Sequence, residues 1–447
     1  MIARLAQTFG AVPLPTKRAA VAFVLLAGAP LLVPGRGAWI AAVVVVACCV
    51  AAAVFDARSL PPRGAIAVER TMPERLSIGV ANPVTLVVRN ASDRSARMLV
   101  RETPPPGFAG ERLAGPLEVP PYGEAEAAFA FTPPSRGAFS FGDVGVRLLG
   151  PLGLVFRQES APCAQPCSVY PDITAVRGYA LLARRGKLHE IGVRAARLAG
   201  SGTEFESLRE YQPGDPYRDI DWKATARRGR PMVRQYEPER SQTLVIAVDA
   251  GRLMAANAGA LTKLDRAVNA ALLLSYLGLE MGDHVGLLVF GRDVEVFVPP
   301  RKGRRHLGVL LEALYDVRAR VEEPDYERAL RYLARNLSRR SLIVLFTDVA
   351  GAEPSRRLIG VLAGLAPRHL ALVATQRNRA LESRAKAEIS TAEDAFAAAV
   401  AEDLLRDKAE ALRTLASRGA LVLDVDPEDL SVAAVNRFLE VKARGQL

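Results

Sequence analysis

The sequence predicts a three-part α/β protein. A mostly parallel, doubly wound sheet forms the C-terminus (243–447), behind a β-sandwich (63–171) and an N-terminal two-helix transmembrane hairpin (19–55). Three observations predict this. Two consecutive apolar runs lie near the start. Short alternating stretches broken by Pro and Gly follow. Continuous apolar strands then alternate with amphipathic helices.

The chain has 447 residues, too many for one ordinary core, and half of them are apolar. Its formal charge is +11, but Lys and Arg are interleaved with Asp and Glu. The sequence lacks zinc-finger spacing, an aromatic-basic RNA motif and an uninterrupted basic helix, which argues against a nucleic-acid partner. Four cysteines are too few for a disulfide scaffold and fit a reducing compartment. Cys163 and Cys167 lack a second ligand pair nearby and read as ordinary buried thiols.

Residues 1–18 form a basic tail. Ala19 to Val33 is apolar, Pro34-Gly35-Arg36-Gly37 breaks the run, and Ala38 to Phe55 is apolar again. At 1.5 Å per residue the second run reaches ~27 Å and the first somewhat less, against a hydrocarbon core of about 30 Å. Trp39 suits an interface. Arg4, Lys17 and Arg18 precede the runs and Arg58 and Arg63 follow, with only Arg36 between. That bias predicts a two-pass membrane protein, held in the lipid bilayer by the hairpin, with its folded domains in the cytoplasm. A cleaved signal peptide has a single, shorter apolar region.

From residue 63 the alternation of Pro83 to Asn90, Ala127 to Phe131 and Val144 to Leu149, with turn chemistry between, predicts the sandwich. It carries no catalytic cluster, and we assign it a structural, spacing or docking role.

A linking segment, 172–242, contains Glu210-Tyr211-Gln212-Pro213-Gly214-Asp215, Arg218-Asp219-Ile220-Asp221-Trp222 and Ala226-Arg227. Pro213-Gly214 is a turn pair. Asp221 is placed to cap a helix from Trp222 to Arg228, and Gly229 to end it in the left-handed conformation, before a strand at Met232 to Tyr236. Asp215, Asp219 and Asp221 lie among five arginines, so salt bridges and caps explain them without metal. A partner-binding surface is the sharper alternative, formed by Glu210, Tyr211, Asp215, Arg218, Asp219, Asp221 and Trp222, with Arg252 beyond.

This segment resembles the signature of the bacterial family called domain of unknown function 58, in which such runs precede a von Willebrand factor A-like domain. With the hairpin and the sandwich the resemblance covers nearly the whole chain. It implies a MoxR-type AAA+ ATPase as partner.

In the C-terminal domain, Thr243 to Val248 is a strand ending at Asp249, followed by a helix with Leu261, Leu264, Val268, Leu272 and Leu279 at helical spacing. Strands at His284–Phe290, Val294–Val298, Leu342–Phe346, Leu370–Ala374 and Ala420–Val425 alternate with helices at Leu307–Asp316, Tyr326–Leu337 and Thr391–Arg418. The last is read with Phe396, Val400, Leu404, Leu412 and Leu415 inward. Ligands are expected at the carboxyl ends of such strands.

A-like domains hold a divalent cation there through an Asp-x-Ser-x-Ser turn, a Thr and a later Asp. Here the turn is Asp249-Ala250-Gly251-Arg252-Leu253, without its serines, and Arg301 to Leu314 offers no Thr. Thr347-Asp348 matches the last element. Asp249 and Asp348 are therefore the candidate metal ligands of a degraded site, with Mg²⁺ the only cofactor to consider and Arg252 able to neutralise either carboxylate.

The sequence shows no phosphate-binding loop, dinucleotide fingerprint, nucleophile elbow or zinc-protease motif, and its four histidines form no triad. We expect no enzyme but a membrane-anchored adaptor or assembly factor. The alternatives are a structural envelope component and a metal-dependent hydrolase using Asp249 and Asp348.

Overall fold

The computed structural model describes residues 13–17, 19–21, 24, 36–176, 178, 204–212, 217, 220–237, 241–349 and 352–446. It divides into two compact units, Met1–Tyr170 and Pro171–Leu447.

In the first unit, β1 (Leu14–Pro15) and α1 (Arg36–Arg58) precede ten strands: β2 (Ile66–Thr71), β3 (Arg75–Ser77), β4 (Asn82–Asn90), β5 (Ala96–Arg101), β6 (Leu113–Val119), β7 (Glu124–Phe131), β8 (Gly137–Phe141), β9 (Val144–Leu149), β10 (Val155–Ala161) and β11 (Gln165–Tyr170). They form sheets ordered β1-β10-β9-β5-β6, β3-β11-β8 and β2-β4-β7, antiparallel except for β3 with β11. Burial alternates along β4, β5, β7 and β9, so one face of each turns inward. Phe108, Phe131 and Phe141 meet edge-to-face in that core. Beneath it, Arg70 reaches Glu102 at 2.7 Å with both side chains wholly buried.

The first predicted membrane run lies almost wholly outside the described residues. The second falls within α1, whose Trp39, Ile40, Val43, Val44 and Phe55 are exposed. Among the described residues, no helix is long and apolar enough to cross a membrane. The C-terminal end of α1 is fastened to the strands. Asp56 is fully buried, and its carboxylate accepts the backbone N–H groups of Leu152, Leu154 and Val155 at 2.7, 2.8 and 2.9 Å. Gly150 permits this, because a Cβ there would lie 2.3 Å from the Asp56 carboxylate. Cys167 is buried and Cys163 only half-buried, so the expected pair of buried thiols holds for one of them.

The second unit begins with β12 (Glu204–Glu210), α2 (Trp222–Arg228) and β13 (Met232–Glu237), in which the two strands pair antiparallel. Then come β14 (Thr243–Asp249), the short β15 (Asn257–Ala258) and β16 (Leu261–Thr262), α3 (Lys263–Glu280), β17 (His284–Phe290), β18 (Val294–Arg301), α4 (Arg304–Tyr315), α5 (Tyr326–Asn336) and β19 (Leu342–Phe346). The chain closes with α6 (Ala352–Leu365), β20 (Leu370–Gln376), α7 (Arg379–Ala385), α8 (Ala392–Ser417), β21 (Leu421–Val425) and α9 (Leu430–Ala443).

Six strands form one sheet in the order β18-β17-β14-β19-β20-β21, with β18 antiparallel and the rest parallel. Its central strands are buried on both faces, as continuous apolar runs require. Leu330 and Leu333 of α5, Leu358 and Leu362 of α6, and Leu412 and Leu415 of α8 share a cluster with Val245, Ala247, Ile343 and Leu345 of the sheet. On the other face α3 packs with α9, which buries Val435, Phe438 and Val441. The strand order reverses at β14, so the carboxyl ends of β14 and β19 meet at the switch point.

The long helix α8 departs from expectation in its first half. Phe396 is 73% exposed and Val400 42%, while Leu412 and Leu415 are buried. The helix overhangs the sheet and packs with α7 there, so its amphipathic stripe meets the core only toward its C-terminal end.

Candidate functional site

Asp249 closes β14 and Asp348 follows β19 by two residues, which brings the two predicted carboxylates to one end of the sheet. Both are buried, 1% and 7% exposed. Their partners differ in kind.

Asp249 is held by neutral donors. Thr347 Oγ1 donates to its Oδ2 at 2.6 Å, Tyr326 OH lies 3.2 Å from the same oxygen, and the N–H of Gly251 donates to Oδ1 at 2.7 Å. Burial pushes the Asp249 pKa from 3.8 up to about 6, against the pull of those hydrogen bonds and helped by the charge of Asp348. Holding the carboxylate ionised at neutral pH therefore costs the fold about 3 kcal/mol. The Tyr326 phenol is pushed well above its usual range by burial and by the Asp249 charge.

Asp348 is held by cations. Lys263 Nζ, from the first turn of α3, forms a close ion pair with Asp348 Oδ2. Lys408 Nζ, from α8, lies 3.2 Å from Oδ1. Lys408 also reaches Asp424 Oδ1 on β21 at 3.1 Å and the carbonyl oxygen of Gln376 at 2.6 Å. The Gln376 side chain donates to the Lys263 carbonyl at 2.8 Å, and Thr375 Oγ1 donates to Asp424 at 2.8 Å. A chain of alternating charge thus crosses the carboxyl ends of three strands.

The residues present do not fit a divalent cation. Oxygen-loving ions need six or more oxygens, and every oxygen of the two carboxylates already faces a protein donor. No serine fits at Gly251 either. A Cβ there would meet Pro324 Cδ at 2.7 Å and Asp249 Oδ1 at 2.9 Å. Residues 320–324 close over the turn, with Arg252 N–H donating to Glu322 and Arg320 N–H to Ala250. This loop, not 301–314, is the one beside Asp249; 304–315 is helical, and 320–324 contains no Ser or Thr. Among the described residues, no group of three or more His, Cys, Asp or Glu is placed to hold a metal ion.

Arg252 corrects a second expectation. It neutralises neither aspartate, pairing instead with Glu323 at 2.5 Å on the surface. The neutralising residue, Lys263, was missed. Its signal lies in Thr262-Lys263-Leu264-Asp265, a capping box that seats a lysine in the first turn of a helix, where the dipole disfavours a cation. A buried lysine there implies a carboxylate partner.

Within the described residues of the linking segment, the predicted cap and helix end are present. Asp221 caps α2 by accepting the N–H groups of Lys223 and Ala224 at 3.0 and 2.9 Å, and Gly229 is left-handed at φ 70°. Glu210 pairs with Arg230, and the Tyr211 ring lies tilted against that of Tyr217 with centroids 5.7 Å apart. Trp222 is 69% exposed. Asp215, Arg218 and Asp219 lie outside the described residues. The structure does not bring this segment's described residues into the Asp249–Asp348 cluster. Beside that cluster a cleft of about 500 Å³ opens, lined by Arg292, Glu322, Glu323, Glu327 and Arg357 with Tyr326 at its floor. A larger groove of about 900 Å³ lies in the first unit and holds no cluster suited to catalysis.

Sheet order and closed polar cluster define the second unit as a doubly wound α/β domain whose ligand end is occupied by its own ion pairs. Residues 207–422 match the family described as protein of unknown function DUF58. An uncharacterized protein of Mycobacterium tuberculosis is 29% identical over 281 residues, covering 59% of this chain and 86% of its own. The uncharacterized protein YeaD of Bacillus subtilis is 28% identical over 141 residues, 32% of this chain and 33% of its own. Among solved structures, proximal thread matrix protein 1 of the mussel byssus gives a TM-score of 0.27 at 12% identity, covering 46% of this chain and 47% of that one. Scores this low leave it a bare likeness.

Proposed function

We propose that the second unit is a von Willebrand factor A-like binding domain, and that the protein is an adaptor or assembly factor rather than an enzyme. The ion pair between Lys263 and Asp348 carries this reading. It closes the position where such a sheet would do metal chemistry, and it leaves recognition to the exposed charges of the adjoining cleft. The strand order, with its single antiparallel edge strand, supports the A-like assignment.

The partner we propose is a MoxR-type AAA+ ATPase, on the strength of the family resemblance. The anchor is the N-terminal hairpin in the inner membrane, with the folded units in the cytoplasm. The exposed Trp39, Ile40, Val43, Val44 and Phe55 of α1 support it, since soluble surfaces rarely carry so contiguous an apolar patch. Purifying the tagged full chain from detergent-solubilised membranes tests both. The ATPase should be retained, and reversing charge at Glu322, Glu323 and Arg357 should release it. Recovery of the chain in the soluble fraction, or no ATPase with nucleotide present, overturns the corresponding half.

A further inference from the structure

We infer that Lys263 is a tethered substitute for the divalent cation of an A-like domain, so that this end of the sheet is assembled and recognises its partner without metal. The inference rests on the A-like assignment proposed above and goes beyond it, by stating what took the ion's place.

Three observations carry it. First, position. Lys263 opens α3, the helix that follows β14, and its ammonium reaches Asp348 after the neighbouring strand β19. Second, burial. Lys263 is 3% exposed and Asp348 7%, and an unpaired charge so placed is strongly disfavoured. An incoming ion would have to displace the ammonium and leave it in a dry interior without its carboxylate. Third, completeness. Lys408 takes the second Asp348 oxygen, and Asp249 is saturated by Gly251, Thr347 and Tyr326. The missing hydroxyl ligands of the turn follow from this. With an ammonium in place no serine is needed at 251, and the 320–324 loop fills the space that a side chain there would require.

A covalently attached cation cannot be chelated or diluted away. The face should therefore be insensitive to Mg²⁺, Mn²⁺ and EDTA. The test uses the purified full chain in detergent. Calorimetric titration with MnCl₂ and with MgCl₂ should give no saturable heat, and the melting temperature should be the same in EDTA and in millimolar Mn²⁺. Lys263→Met, which keeps the stem and removes the charge, should melt several degrees lower. Lys263→Met with Asp348→Leu should recover part of that loss, because the buried carboxylate left with Lys408 alone is gone, while Lys408 keeps Asp424 and the Gln376 carbonyl. If the single variant does not fold, the double variant and the wild-type titrations decide alone. Saturable Mn²⁺ binding that disappears in Asp348→Asn overturns the inference, as does a double variant whose loss equals the sum of the two single losses. Failure here is distinct from failure of the adaptor reading. A partner that binds only with Mn²⁺ sinks the first and keeps the second; a metal-blind protein without a partner does the reverse.

Discussion

Thr347 Oγ1 donates a 2.6 Å hydrogen bond to Asp249 Oδ2, joining the carboxyl ends of two neighbouring parallel strands through side chains. Thr347→Val keeps the branched shape and removes the donor. The buried carboxylate then keeps Tyr326 and the Gly251 N–H alone. A loss of about 1–3 kcal/mol is expected in urea denaturation, with the Asp249 pKa moving further above about 6 by carboxyl NMR. Unchanged stability would show that the bond contributes nothing.

The Arg70–Glu102 pair in the first unit is fully buried, and the guanidinium also donates to the Gly142 carbonyl at 2.8 Å. Glu102→Leu strands a buried cation and should destabilise this unit by about 3–5 kcal/mol, whereas Arg70→Met with Glu102→Leu should recover most of it. Chemical denaturation followed by a probe in the strands checks both. A double variant as unstable as the single one refutes the assignment.

His369 is 4% exposed, and burial together with Arg368 and Arg340 pulls its pKa below the ordinary 6.5. A depressed histidine stabilises the fold above its unfolded pKa, and that contribution is lost as pH falls through the folded value. Asp249 acts oppositely over part of the same range, since its raised pKa favours the protonated fold below about 6. The two are separated by comparison. Relative to wild type, His369→Gln should gain in melting temperature as pH drops from about 8 to about 5, a range that brackets the ordinary histidine pKa. Parallel curves would exclude the histidine.

Helix α8 starts with a reciprocal cap, in which Thr391 Oγ1 accepts the Asp394 N–H and Asp394 accepts the Thr391 N–H, both at 3.1 Å. Hydrogen bonds from Thr391, Arg384 and Ser390 hold the Asp394 carboxyl well below the usual carboxylate range. Thr391→Ala should cost about 1 kcal/mol, and adding Asp394→Ala should cost less than its separate effect, because the bonds are shared. Additive losses in thermal melts would argue against the box.

Where local chemistry decides, the sequence was legible. Strand β14 ends at Asp249, α2 spans Trp222 to Arg228, and Gly229 is left-handed, as capping and periodicity require. Long-range matters were not legible. Phe396 and Val400 keep helical spacing with Leu412, and only tertiary packing reveals that α8 outruns the sheet. Helices α6, α7 and α9 were not anticipated. At the site, attention to absent hydroxyls found Asp249 and Asp348 but overlooked Lys263, since a residue that replaces a ligand's ion is invisible to a search for ligands.

The fastening of Asp56 bears on mechanics. Its three backbone hydrogen bonds join the last turn of α1 to the β9–β10 connection without slack. A displacement of the helix would pass into the strands as a rigid-body push, loading those three bonds together. Helix and strands would then turn together, a mast where a flexible linker would have been a rope.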